Sequence, residues 1–120
     1  MDTAHETLAH SAQLGRQLRD AIPDVYSAYA QLHTSAIARD GALPPKMREL
    51  IALAIAVTRE CDGCIAAHAR GAASRGATSQ EVAEAMGVAI LMNGGPGTVW
   101  GPRAYAAFEE FAAPGRAAGS

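Results

Sequence analysis

Cys61 and Cys64 are the only cysteines in the chain, held in the segment Cys61-Asp62-Gly63-Cys64. His68 follows Cys64 by four residues, and Glu49 precedes Cys61 by twelve. Two cysteines at this spacing close a small disulfide or hold a metal, and both chemistries draw on the thiolate. Cys61 falls where a helix is expected to begin. The unpaired first-turn amides there, with about half a positive charge, favour thiolate over thiol. A pKa lowered by about two units requires about 2.7 kcal/mol. An exposed helix end supplies only about 0.3–1 kcal/mol, so another group must help. Cys64 and His68 lie one helical turn apart on one face, which lets the imidazole take the Cys64 proton directly or through one water. The other ring nitrogen then needs an acceptor, and Glu49 is the candidate.

Competing readings of the same residues are weaker. A structural zinc usually takes four protein ligands, and the local sequence offers Cys61, Cys64 and His68, with Asp62 able to join only by folding back. Covalent haem attachment in its usual form would need histidine where Ile65 stands. Redox chemistry is therefore preferred over a metal site or an inert pair. His5, His10 and His33 have no chemical context in the sequence and are given no role. Trp100, Tyr105, Phe108 and Phe111 read as packing or subunit contacts.

The elements that must position these residues are helices, because nothing alternates with period two and alanine, leucine, glutamate and arginine fill the periodic stretches. Six are expected. The first covers about His5 to Ala21. The second opens at Pro23-Asp24 and runs towards Arg39, with Val25, Tyr29, Leu32 and Ala36 as its apolar stripe. The third, Pro45 to about Arg59, contains the apolar run Ile51 to Val57 and is expected to be a buried central helix. The fourth spans Cys61 to about Arg75 and is ended by Gly76. Thr78-Ser79-Gln80-Glu81 is a capping segment that opens the fifth, to about Asn93. Asn93-Gly94-Gly95-Pro96-Gly97 is the strongest break in the chain. The last helix covers about Thr98 to Ala113, its start displaced as far as Gly101 if Pro102 must lie in its first turn, and the tail from Pro114 is expected to fray. If the third and fourth helices pack antiparallel, Cys61 lies about 18 Å from Glu49 along the axis at 1.5 Å per residue, and His68 lies much nearer.

The chain's 120 residues and 12.4 kDa suit one domain over residues 1–120, with a core of about 23–112. Apolar residues make up 49% but aromatics only 5%, and an alanine-rich core gains little transfer energy per side chain, so an oligomer is expected. A net charge of −2 and a pI near 6.0 give no electrostatic footprint for nucleic acid or an anionic membrane. The first residues lack the basic and apolar regions of a signal peptide, and no apolar run is long enough to span a bilayer. A cytoplasmic protein without a cofactor is expected. In a reducing compartment a lone C-x-x-C is more often catalytic or metal-binding than structural.

Glu49, Cys61, Cys64 and His68, with their spacings of twelve, three and four, resemble the active-site pattern of AhpD-like alkylhydroperoxidases, within the carboxymuconolactone decarboxylase superfamily. The stretch from Lys46 to Gly76 is similar to that family's core, and the likeness extends over most of residues 23–112. The resemblance implies an all-α single-domain bundle assembling as a trimer or hexamer, and thiol-dependent reduction of hydroperoxides at the expense of an external dithiol or protein reductant. It also implies that Glu49 and His68 relay a proton from Cys64, and that Cys61 completes the disulfide. One departure stands out: those enzymes carry a second histidine directly before the second cysteine, where this chain has Gly63. The decarboxylases proper lack the cysteine pair, which argues against lactone decarboxylation here. The other alternative is a non-catalytic, metal-stabilised helical module.

Overall fold

The computed structural model describes residues 2–119, with side chains described through Ala112. Six α-helices follow one another: α1 (Ala4–Ala21), α2 (Pro23–His33), α3 (Pro45–Thr58), α4 (Asp62–Ser74), α5 (Ser79–Asn93) and α6 (Gly95–Gly119). A single π-helical stretch, Thr34–Ala38, continues α2. No strand occurs among the described residues, and none of their helices is long and apolar enough to cross a membrane.

The core lies where α3, α4, α5 and α6 meet. Leu50, Leu53, Ala56 and Val57 of α3 face Ile65, Ala66, Ala69 and Ala72 of α4, with Val82, Met86 and Ala89 of α5 and Ala104, Ala107 and Phe108 of α6 closing the cluster. Phe108 and Leu53 are its largest fully buried side chains. The alanines let the helix axes approach, and burial rather than propensity holds the bundle. Trp100, Tyr105 and Phe111 pack against this cluster.

Helix ends carry the most local information. α5 opens with the expected capping box, in which Thr78 Oγ1 accepts from Glu81 N–H at 3.1 Å and Glu81 Oε1 accepts from Thr78 N–H at 2.9 Å. α1 opens with the same device between Thr3 and Glu6. Its next free amides are capped from across the fold: Glu110 of α6 accepts from Ala4 N–H at 2.8 Å and His5 N–H at 3.2 Å. α4 ends in a Schellman turn, with Gly76 at φ 85°, its N–H bonded to Ala73 O at 3.1 Å and Ala77 N–H bonded to Ala72 O at 3.0 Å. α3 ends in the same motif, built on a residue that is not glycine. Glu60 takes φ 53°, its N–H bonds Val57 O at 3.1 Å, and Cys61 N–H bonds Ala56 O at 3.2 Å. Cys61 thus closes α3 and caps α4 at once.

Four expectations are corrected. The second helix does not run unbroken to Arg39: at Thr34 the hydroxyl bonds the Ala30 carbonyl at 3.1 Å, and the backbone widens into the π turn. α3 is not buried all round, for Ile51 and Ile55 remain 45% and 57% exposed on the side opposite the core. α6 begins at Gly95, placing Pro96 in its first turn and Pro102 in its interior. Gly97 explains the early start, since a Cβ there would lie 2.8 Å from Ile90 Cα, so α5 and α6 cross tightly at that point. The backbone of α6 also continues past Ala113 to Gly119, against the low helix propensity of Pro114, Gly115 and Gly119; the end of the expected frayed tail, Ser120, lies outside the described residues.

Candidate functional site

The cysteine pair sits at the junction that the α3 Schellman turn creates. Cys61 is extended at φ −107°, ψ 99°, and its Sγ accepts the Cys64 N–H at 3.2 Å, acting as the N-cap of α4. The two cysteines form a disulfide with Cα atoms 5.2 Å apart. Cys61 is half-buried and Cys64 is exposed, so Cys64 is the one an incoming small molecule meets first.

One turn along α4, His68 Nδ1 lies 2.7 Å from Glu49 Oε1. Glu49 is the only buried charged residue in the core region described, at 3% exposure, while the His68 side chain retains 22%. Burying a carboxylate is costly unless it is paired, and the imidazole supplies the pairing. Gly71 supplies the space, because a Cβ there would overlap both Glu49 carboxylate oxygens. Helices α3 and α4 therefore bring Glu49 to His68 rather than to a cysteine.

The N-terminal end of α4 is tied to α6 by a two-pronged ion pair, Arg103 Nη2 to Asp62 Oδ1 at 3.0 Å and Oδ2 at 3.2 Å, with the guanidinium 4.2 Å above the Trp100 ring. Asp62 is thus engaged away from the sulfurs, and the zinc ligand set weighed for Cys61, Cys64, Asp62 and His68 is not assembled. The Cβ position of Gly63 faces α1, 3.7 Å from Ser11 Oγ.

Two histidines without sequence context acquire one in space. His5 Nδ1 pairs with Glu110 Oε1 at 2.9 Å. His33, the last residue of α2, stacks on His68 with ring centroids 6.0 Å apart and planes 14° from parallel. Both contacts join residues far apart in the chain, so no local signal announced them. His33 also lines, with Glu49, Ala67, Arg70, Gly71, Ser74 and Arg75, an open pocket of ≈ 400 Å³ beside His68. Tyr26 and Tyr29 line a different recess with Arg19 and Pro23.

Comparison with known proteins finds relatives of the chain and of its fold. Residues 23–113 match the Carboxymuconolactone decarboxylase family. The chain is 38% identical over 92 residues to an uncharacterized protein of Cupriavidus necator, covering 77% of this chain and 80% of that one. It is 34% identical over 102 residues to uncharacterized protein 4 of the cox locus of Paracoccus denitrificans, covering 83% and 88%. Its fold superposes with a TM-score of 0.86, at 34% identity and coverage of 91% and 96%, on the apo crystal structure of a carboxymuconolactone decarboxylase family protein from Legionella pneumophila.

Proposed function

The chain belongs to the carboxymuconolactone decarboxylase family, and within it we propose that this member is a thiol-dependent peroxidase and disulfide oxidoreductase that reduces alkyl hydroperoxides through the Cys61–Cys64 pair. The observation that carries this reading is the disulfide at the start of α4 with the Glu49–His68 pair one turn beyond it.

In the reduced chain, Glu49 holds the imidazole through Nδ1 and leaves the second ring nitrogen to take the Cys64 proton. The Cys64 thiolate attacks a peroxide oxygen. A sulfur–oxygen bond forms, the oxygen–oxygen bond breaks, and the departing alkoxide leaves as an alcohol with the proton held by His68. Cys64 is now a sulfenic acid, oxidised by two electrons. The Cys61 sulfur attacks it, forming the disulfide and releasing water. An external dithiol exchanges with that disulfide, returns both cysteines to thiols and leaves as its own disulfide. The exposure of Cys64 suits the attacking role, and the half-buried Cys61 suits the resolving one.

The family's label favours lactone decarboxylation, but that chemistry leaves the cysteine pair without work to do. Large apolar side chains on α2 and α3 lie open, Tyr29 at 67%, Leu32 at 62% and Ile55 at 57%, which supports a homo-oligomer as the working form. The test of the reading is reduction of an organic hydroperoxide with dihydrolipoamide as the electron donor. Turnover is expected with the native chain and lost in Cys64→Ser and Cys61→Ser variants that still fold. Turnover unaffected by both substitutions would refute it.

A further inference from the structure

We propose that His33, Glu49 and His68 form a binding site for one zinc ion, and that filling it switches off the base that serves Cys64. The three residues come from three elements, the end of α2, the second turn of α3 and the middle of α4, and one ligand atom from each lies within 4.8 Å of the others. Two imidazoles and one carboxylate make a donor set that zinc accepts, with a fourth position left open to solvent.

Much of the site exists without the ion. Glu49 and His68 are already in contact at 2.7 Å, with the carboxylate buried and seated in the space beside Gly71. Zinc held at about 2.0–2.1 Å by each donor places those donors about 3.4 Å apart. The widest separation must therefore close by somewhat more than an ångström, while the Glu49–His68 pair at 2.7 Å opens by about 0.7 Å to admit the ion. His33 is the exposed member, carried at the end of α2 just before the backbone widens into the π turn at Thr34, so its side chain is the one with room to move. Local π-helical turns of this kind recur at functional sites.

Arg70 and Arg75 face the same pocket. Their charges weaken the hold on a bare cation and favour an anion, hydroxide or chloride, in the open position. Neither cysteine belongs to the donor set, so binding needs no free thiol and persists in the disulfide form. Zinc bound at His68 Nδ1, the nitrogen facing Glu49, leaves the ring's one proton on the second nitrogen, so an occupied site has no base to offer Cys64. The inhibitory half of the proposal rests on the proton-relay role given to Glu49 and His68 above; the binding half does not.

The experiment is titration of the oxidised, disulfide-bonded protein with zinc chloride against a chromophoric indicator, repeated with His33→Ala, His33→Asn and His10→Ala. The expected result is one ion per chain in the native protein and His10→Ala, with affinity weaker by about tenfold or more in both His33 variants. Cobalt(II) in place of zinc should give the visible absorption of a tetrahedral nitrogen–oxygen site, lost with the same variants. No stoichiometric binding, or binding unchanged by loss of His33, overturns the site. Zinc should also lower hydroperoxide turnover of the native enzyme more than that of His33→Ala, each against its own zinc-free rate. Binding with equal sensitivity overturns the inhibitory half. Binding by a chain with no zinc-free turnover in any case leaves the site standing and removes the peroxidase reading instead.

Discussion

The carboxylate of Glu49 occupies the volume that a side chain on Gly71 would fill. A Cβ at that position would overlap Oε1, Oε2 and the carboxyl carbon together, so the Glu49–His68 contact of 2.7 Å depends on a residue three places beyond the histidine. Glu49 is enclosed there to 3% exposure.

Gly71→Ala is therefore expected to displace Glu49 from His68 and to lower hydroperoxide turnover by about a hundredfold, the cost of misplacing a catalytic group by about an ångström. The measurement is turnover in a double-mutant cycle with Glu49→Ala. If Gly71 acts by seating Glu49, alanine at 71 adds little in the background that lacks the carboxylate. Full additivity of the two losses would mean that Gly71 matters for another reason.

The two cysteines should fail in different ways. With Cys61→Ser, a single equivalent of hydroperoxide is expected to oxidise Cys64 to a sulfenic acid that persists and reacts with a dimedone-type probe, because no resolving thiol remains. With Cys64→Ser the probe should find nothing at Cys61. Mass spectrometry of the labelled chains reads both outcomes, and labelling at Cys61 instead would invert the assigned roles.

Much of this site was legible in the chain because its signals are local. Cys64 and His68 share a helix face by spacing alone, and Pro45, Thr78 and Gly76 mark helix ends through their own chemistry. The antiparallel packing of α3 and α4 then follows from one short turn, and with it the approach of Glu49 to His68. His33 was not legible, because it meets His68 across thirty-five positions of sequence through a helix that buries none of its own side chains. Gly71 was equally silent: a glycine inside a helix has no sequence signature for the side chain that fills its space. The start of α6 was misplaced for a similar reason, as the close crossing of Gly97 over Ile90 is tertiary and outweighs the preference for keeping Pro102 in a first turn.

Glu60 and Gly76 offer a controlled comparison, since each is the left-handed residue of a Schellman turn, at φ 53° and φ 85°. A residue with a Cβ in that region costs about 1–2 kcal/mol. Glu60→Gly is expected to stabilise the chain by about 0.5–1 kcal/mol after the glycine's extra unfolded-state freedom is subtracted. Gly76→Ala should destabilise it by about 1–2 kcal/mol through strain alone, because nothing lies within 4 Å of a Cβ at that position. Denaturant unfolding at one fixed protein concentration measures both. Equal and opposite signs from these expectations would show that the turns are not under backbone strain.

Acid should loosen the attachment of α1. Burial pushes the Glu110 carboxyl up, but the N–H groups of Ala4 and His5 and the His5 ring outweigh it and hold the group below its ordinary value of 4.5. A carboxyl depressed on folding stabilises the fold fully above its unfolded pKa, and that contribution is lost as pH falls through the folded one. Stability should decline as pH drops below about 4.5, and Glu110→Gln, which can still accept a bond from these amides, should flatten part of that decline. Glu6 and Glu81, each lowered chiefly by the backbone N–H of its capping threonine, act in the same direction. An unchanged acid slope in Glu110→Gln would remove Glu110 from the account.

The isolated chain exposes more surface than its size warrants. It presents 7392 Å², against about 6,100 Å² for a compact protein of its mass. The excess on one chain is more than the roughly 800 Å² that one standard interface buries per partner. Several of the open apolar residues form two stripes: Val25, Tyr29 and Leu32 line α2, which has no buried residue of its own, and Met47, Ile51 and Ile55 line the outer side of α3. Covering these stripes with further copies of the chain would bury the surface that the alanine-rich core leaves unused. Leu32→Glu and Ile55→Glu are each expected to shift sedimentation from an oligomer towards the monomer, because a carboxylate cannot be left unpaired in such a contact. His33 ends the same α2 helix, so dissociation should also disturb the pocket beside His68 and lower turnover together with assembly. A native chain that sediments as a monomer at working concentration, and is unaffected by either glutamate, would sink the oligomer.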